Sequence, residues 1–216
     1  MNFDKSFVKK VLYLMEKEAR KRKAPVFRKE LIIENDPFKI FILAFLSSRT
    51  KDETTVKVCK RLFKRVSNFK DILSLSQKEI EKLIYGVGFY RQKAKNLKKT
   101  AEIIVKRYSG NLPNQLEELV KLPGVGNKIA KVILAEAYRK PFIAVDVHVH
   151  RISNRLGIVK TKTPSETDRV LDKIIPEELK RKYNKIFVAF GQTVCKPKRP
   201  LCNECPLKNL CPKIGI

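Results

Sequence analysis

The sequence predicts an all-α protein, and three observations carry that prediction. Apolar side chains recur three and four apart over residues 69–83 (Phe69, Ile72, Leu73, Ile80, Leu83), 94–105 (Ala94, Leu97, Ala101, Ile104, Val105) and 129–137. Alternation with period two is confined to residues 143–149, a run that equally fits the end of one helix and the start of another. Finally, Pro and Gly punctuate the chain at Pro25, Pro37, Gly86/Gly88, Gly110, Pro113, Pro123-Gly124, Pro141, Pro164 and Pro176. These breaks leave about ten helical pieces, most of roughly 8–15 residues.

The first piece, over the N-terminal residues, places Phe7, Val8, Val11, Leu12 and Met15 on one side. It reads as a docking helix or as a transit peptide, and Asp4, Glu16 and Glu18 argue against the second. No secretory signal is evident, so the expected location is the cytoplasm, beside the nucleoid DNA. The next segment holds the longest apolar run, residues 40–46, far short of the roughly 20 residues that a spanning helix needs.

Composition narrows the partners. The 216 residues include 48 Lys or Arg against 22 Asp or Glu, a formal charge of +26. Such an excess repels itself unless a polyanion screens it, so nucleic acid is the first candidate partner and an acidic membrane surface the second. With 43% hydrophobic residues, disorder is excluded, and the length admits one large domain or two small ones. Much of the charge exceeds what roughly 6–10 phosphate contacts need and is expected to serve steering and scanning.

A short repeat organises the middle of the chain. Gly86-Val-Gly88 and Gly124-Val-Gly126 each lie between helical segments, and each precedes a lysine-bearing helix. Two copies are too few for a solenoid and read as a duplicated hairpin. In the second copy, Pro123 stops the incoming helix, and Gly124 and Gly126 permit backbone angles closed to other residues. The outgoing helix begins near Asn127, so its N–H groups and positive dipole end face the hairpin. A DNA phosphate would suit that place; an ordinary helix connection is the alternative.

Lys128 falls in the first turn of that helix, ahead of the core positions Ile129, Val132, Ile133 and Ala137. A helix N-terminus disfavours a cation, and the same field with partial burial makes an amine a better nucleophile. A solvated lysine is the plainer reading. Asp146 lies in the apolar run 142–147, where an unpaired carboxylate is costly. It either caps a helix running from Val147 toward Leu156 or performs chemistry, and the two are compatible.

Five cysteines remain: Cys59 alone, and Cys195, Cys202, Cys205 and Cys211 in one short stretch, C-x6-C-x2-C-x5-C. Four thiolates so placed suit tetrahedral zinc or an iron–sulfur cubane. Between Arg91 and Arg107, seven basic residues face one acid, Glu102, as either a solvated helix face or a phosphate track.

Taken together, L-P-G-V-G-N-K-I-A and the downstream V-D-V-H-V-H-R-I-S-N-R-L resemble the helix–hairpin–helix DNA glycosylases, above all their endonuclease III branch, over about residues 30–211. The resemblance implies that Lys128 is the nucleophile and Asp146 its essential partner. A mismatch-specific branch carries tyrosine at the lysine position, so Lys128 implies a bifunctional glycosylase and abasic-site lyase that removes oxidised pyrimidines. Its partner would be double-stranded DNA containing damaged bases or abasic sites, without a membrane, and the chain would act as a monomer.

The same resemblance assigns further parts. Arg49 takes the position of a wedge that enters the duplex, where the family often has Gln, and Ser47 and Asp52 line the same pocket. Phe89 takes the place of a bulky residue that intrudes opposite the lesion. The cysteine spacing matches the [4Fe–4S] loop of the branch, and Lys196, Lys198 and Arg199 within that loop meet phosphates. His148 has at most a supporting role. Residues 30–140 would form a helical barrel-like domain, and residues 1–29 with 141–216 a cluster domain, with the active site in the cleft between them. The departure at Arg49 leaves a rival enzyme, a glycosylase for mismatched or other damaged bases. Outside the enzyme class the rival is a non-catalytic helix–hairpin–helix DNA-binding module with a structural metal, against which the combination of Lys128 and Asp146 argues.

Overall fold

A computed structural model describes residues 4–29 and 36–216. Among these, eleven α-helices and no strands are found. They are α1 (Lys5–Lys21), α2 (Pro37–Ser47), α3 (Asp52–Phe63), α4 (Phe69–Ser74), α5 (Gln77–Leu83), α6 (Tyr90–Tyr108), α7 (Leu116–Leu119), α8 (Asn127–Ala137), α9 (Val147–Arg155), α10 (Pro164–Ile174) and α11 (Glu177–Thr193). Short 3-10 turns occupy Pro25–Lys29 and Cys202–Glu204. The chain divides into a terminal unit, Met1–Phe27 with Lys140–Ile216, and a central unit, Arg28–Arg139. The boundary expected at residue 30 falls outside the described residues.

The central unit is built on α2. Asp36 caps it, accepting from Phe38 N at 2.8 Å, and Pro37 occupies the first turn, where its missing N–H costs nothing. Phe38 and every residue from Ile40 to Leu46 are buried, as befits a helix that is apolar all round. Helices α3 and α8 pack against it, and Phe41 stacks on Phe45 at 5.6 Å and meets the edge of Phe69 at 5.3 Å. Helices α4 and α5 pack against α6.

Residues 69–83 depart from the single period that the sequence suggests. The stretch is two helices, broken at Leu75 and Ser76. Ser76 accepts from Glu79 N at 3.2 Å while Glu79 returns to Ser76 N at 2.7 Å. This S-x-x-E capping box starts a new helix in mid-period, because it satisfies donors that would otherwise be orphaned.

In the terminal unit, α1 packs on α11, and α9 on α10 and α11. Val8, Val11, Leu12 and Met15 are buried in one core with Tyr183, Ile186, Phe187 and Phe190. Here α1 docks, as its amphipathic pattern indicates. Residues 143–146 are not helical, so the alternating run is a connecting strand-like segment followed by a helix start at Val147, not the end of a preceding helix.

Candidate active site and DNA-binding hairpins

The hairpin at residues 123–126 positions Lys128. Gly124 has φ +81, and a Cβ there would lie 2.8 Å from Phe45 Cε2 and 2.9 Å from Asn96 Nδ2, so conformation and space both demand glycine. Thr100 Oγ1 donates to Pro123 O at 3.1 Å, tying the turn to α6. Gly126 does not follow the expectation of a special backbone angle. Its φ is −91 and it serves as the N-cap of α8, with no side-chain cap bond and, its chain neighbours aside, open space within 4 Å of where a Cβ would stand. Its value is therefore the open space before uncapped N–H groups, a place suited to an anion.

Lys128 is the second residue of α8 and is exposed, not partly buried as the nucleophile argument assumed. The exposure has a plain reason: a position on the first turn beside an open hairpin faces outward, while Ala130, Ile133 and Leu134 turn into the core.

Asp146 belongs to the terminal unit. It is half-buried and caps α9, where its Oδ1 accepts from His148 N at 2.9 Å and Val149 N at 3.0 Å. Later turns of the same helix hold the cysteine loop. Arg151 Nη2 donates to Cys195 O at 2.8 Å. Arg155, 8% exposed, donates to Lys196 O at 2.7 Å and Pro197 O at 2.9 Å. With the loop's carbonyls held from beneath, the side chains of Lys196, Lys198 and Arg199 are exposed, and Arg199 sits in the left-handed region at φ +50.

Cys195, Cys202, Cys205 and Cys211 line a single cavity, each half-buried, together with apolar walls such as Ile152, Phe190 and Leu207 and the cations Arg155, Lys208 and Lys213. Among the described residues, no three His, Cys, Asp or Glu side chains gather tightly enough to hold a lone metal ion. Burial first, and then the neighbouring Cys195, Cys211 and Cys202, push the Cys205 thiol up to about 11. Cys211 is raised for the same reasons, burial first. Four sulfurs within electrostatic reach of one another and partly buried are stabilised as thiolates by a cationic core. The donor set fits a soft-metal cluster.

The loop after α2 and the first hairpin form one assembly within the central unit. Ser47 ends α2 and donates its hydroxyl back to Ala44 O at 2.9 Å, while Asp52 opens α3. Arg49, exposed, has φ +51, and Phe89, 63% exposed, has φ +57. The Arg49 guanidinium carbon lies 5.2 Å above the Phe89 ring. The contact is a cation–π pair between two residues far apart in sequence.

The basic run on α6 does not form a single outward track. Arg91, Lys95, Lys99, Lys106 and Arg107 are exposed, but Lys93 and Lys98 turn inward. Lys98 donates to Leu73 O at 3.4 Å and to Leu75 O, at the end of α4. Lys93 donates to Leu46 O and Ser48 O, at the end of α2. Arg61 serves α5 in the same way, donating to Leu83 O at 2.7 Å and Tyr85 O at 2.5 Å. Helix C-termini carry orphan carbonyls and partial negative charge, so part of the basic excess is structural. Burial pulls the Lys93 ammonium down to about 8, which still leaves it mainly charged at neutral pH. Sequence reasoning missed these capping cations. Lys93 had one available signal: it falls in the core register of Leu97, Thr100 and Ile104.

No helix among the described residues is long and apolar enough to cross a membrane. Residues 42–177 match the family of HhH-GPD superfamily base excision DNA repair proteins. The chain is a member of that family. It is 48% identical over 178 residues to Endonuclease III of Thermotoga maritima, covering 82% of this chain and 84% of the relative. It is 38% identical to Endonuclease III of Bacillus subtilis, covering 83% of each. Among solved structures, it is similar to that of a non-covalent Endonuclease III–DNA complex, with a TM-score of 0.82, 34% identity and 95% of each chain covered. The hairpin that precedes Lys128 lies inside the matched residues.

Proposed function

We propose that the protein is a bifunctional DNA glycosylase and abasic-site lyase that removes oxidised pyrimidines from double-stranded DNA. The observation that carries this reading is Lys128 on the exposed first turn of α8, directly after an uncapped hairpin, in a chain 48% identical to an Endonuclease III. A phosphate held at the open Gly126 end fixes the strand next to the amine. The damaged nucleotide is extruded, because its sugar cannot be reached within the stack. Arg49 and Phe89 fill the vacated space.

The Lys128 amine then attacks C1′, and the bond from C1′ to the base breaks with its electron pair leaving on the base. The Asp146 carboxylate stabilises the positive charge that develops on the sugar and takes up a proton from the amine. The resulting iminium between Lys128 and the opened sugar acidifies C2′; loss of that proton expels the 3′ phosphate and cleaves the strand. Hydrolysis releases the lysine.

Cys195, Cys202, Cys205 and Cys211 are the residues that would hold a [4Fe–4S] cluster, whose part there would be to cross-link the C-terminal loop. Arg151 and Arg155 fix the backbone of that loop so that Lys196 and Arg199 meet phosphates. An anaerobic preparation is expected to contain about four iron atoms per chain; an iron-free, folded and active preparation would overturn this assignment.

Borohydride reduction tests the reaction itself. With a duplex containing thymine glycol or an abasic site, the native chain should be trapped as a covalent adduct. Lys128→Ala should lose the adduct and slow strand cleavage by about 10³-fold or more, as removal of a nucleophile does elsewhere. Native-level trapping by that variant would sink the proposal. Arg49 stands where the branch often has Gln, so excision opposite each of the four bases is the measurement that defines its preference.

A further inference from the structure

Lys93 is 9% exposed, and its ammonium group is spent inside the central unit. The three protons of the amine meet three acceptors on one stretch of chain: Leu46 O at 2.7 Å, Ser48 O at 2.6 Å and Thr50 Oγ1 at 3.4 Å. Two of these are carbonyls at the C-terminal end of α2, where no intrahelical donor is available and the helix dipole is negative. Lys93 is thus a cap supplied from another helix. Immediately after the capped end stands Arg49 in the left-handed region, a position that helices usually give to glycine. An arginine there is strained and persists only where its surroundings hold it.

Two surroundings do so. Lys93 grips two carbonyls that precede Arg49, those of Leu46 and Ser48, and Gly88 closes the other flank. Gly88 N donates to Thr50 Oγ1 at 3.0 Å, and Arg49 O occupies the space 2.5 Å from where a Gly88 Cβ would be. Phe89 follows Gly88 directly, is itself left-handed, and lies under the Arg49 guanidinium. Thr50 Oγ1 therefore joins Lys93, the Arg49 loop and the first hairpin at one atom.

We infer that Lys93 is a positioning residue: it locks the loop of residues 48–50 against the Gly86–Gly88 hairpin so that Arg49 and Phe89 reach DNA as one preformed pair. The inference rests on the proposed entry of Arg49 and Phe89 into the duplex. Two strained, exposed side chains gain from such a lock, because a pair already in place gives up less conformational freedom on insertion. A neutral residue at position 93 leaves Leu46 O without that donor and Ser48 O with the Thr50 hydroxyl, at 3.1 Å, in place of a cation, and the loop relaxes to recover hydrogen bonds.

A double-mutant cycle between Lys93→Met and Arg49→Ala tests this. It is read in two ways. One is the single-turnover rate of thymine-glycol excision opposite each of the four bases. The other is the fluorescence of 2-aminopurine placed opposite a non-cleavable abasic analogue, which reports insertion without chemistry. Lys93→Met should slow excision roughly tenfold to a hundredfold, the scale of a small misplacement, and flatten the opposite-base ratios. With Arg49 already replaced by Ala, the same change should do little more. Strand cleavage at a preformed abasic site should lose less than excision, since no base must be unstacked. Lys93→Arg, which keeps a cationic donor, should recover part of the rate.

An equal effect of Lys93→Met in both backgrounds, in rate and in fluorescence, overturns the inference, as that is what a merely structural lysine produces. Should Lys93→Met fail to fold, Thr50→Val removes the shared hydroxyl and decides the same cycle. A native chain that excises nothing overturns the proposed function, while coupled fluorescence changes would still support the positioning role.

Discussion

In the hairpin at residues 86–88 and in its counterpart at residues 124–126, the first glycine takes a positive φ, +105 and +81, and the valine is buried, 3% and 5% exposed. The second glycine divides them. At Gly88 the absent side chain makes room for protein, the carbonyl of Arg49; at Gly126 it leaves open space before a helix N-terminus. The helix of the first hairpin starts one residue later, with Phe89 as its N-cap, whereas Gly126 is itself the cap of α8. The first hairpin consequently presents a side chain, and the second presents backbone N–H groups. One tripeptide yields two tools because the close approach permitted by glycine can be used by the protein or reserved for a ligand.

Five substitutions bear on this contrast. The largest effect is expected for Gly88→Ala, whose Cβ would meet a backbone oxygen that cannot swing away. It should destabilise the fold by about 1–3 kcal/mol in denaturant titration and also slow excision, because the Arg49 loop must move. Gly124→Ala comes next. Strain at positive φ adds to contacts with Phe45 and Asn96, so it should exceed Gly86→Ala, which carries the strain but meets nothing nearer than 3.9 Å. Phe89→Ala should leave stability within about 0.5 kcal/mol, as the ring is exposed, while lowering excision more than duplex affinity. Gly126→Ala is the smallest in stability, also within about 0.5 kcal/mol, but should weaken duplex binding and lower the salt slope by about one. Equal destabilisation by Gly88→Ala and Gly126→Ala would erase the distinction between the hairpins.

Much of the fold was legible in the sequence. The apolar periods lie within α6 and α8, the amphipathic start docks as α1, and Asp146 caps a helix beginning at Val147. These are local matters, governed by spacing and by caps that act within a few residues. The break at Ser76 was also local, written in S-x-x-E, though the apolar period ran across it. The roles of individual cations were less legible. Lys93 and Lys98 share a lysine-rich helix with exposed neighbours, and only the arrival of two other helix ends beside α6 turns them inward. Arg155, likewise, is recognisable as the holder of the cysteine loop only once Lys196 O and Pro197 O lie against it.

The sequence by itself determined the helical class, the hairpin before Lys128, the helix cap at Asp146, and the spacing of the four cysteines, because each depends on residues near one another along the chain. The tertiary structure alone decided which glycine faces protein and which faces solvent, and that Arg49 and Phe89 form a pair. It also decided which lysines are spent inside the fold. Those outcomes depend on contacts between segments 22 to 47 residues apart, such as Arg61 with Leu83 O and Lys93 with Leu46 O. A composition of +26 cannot distinguish a charge that caps a helix from one that meets a phosphate; only the position of the nearest carbonyl does.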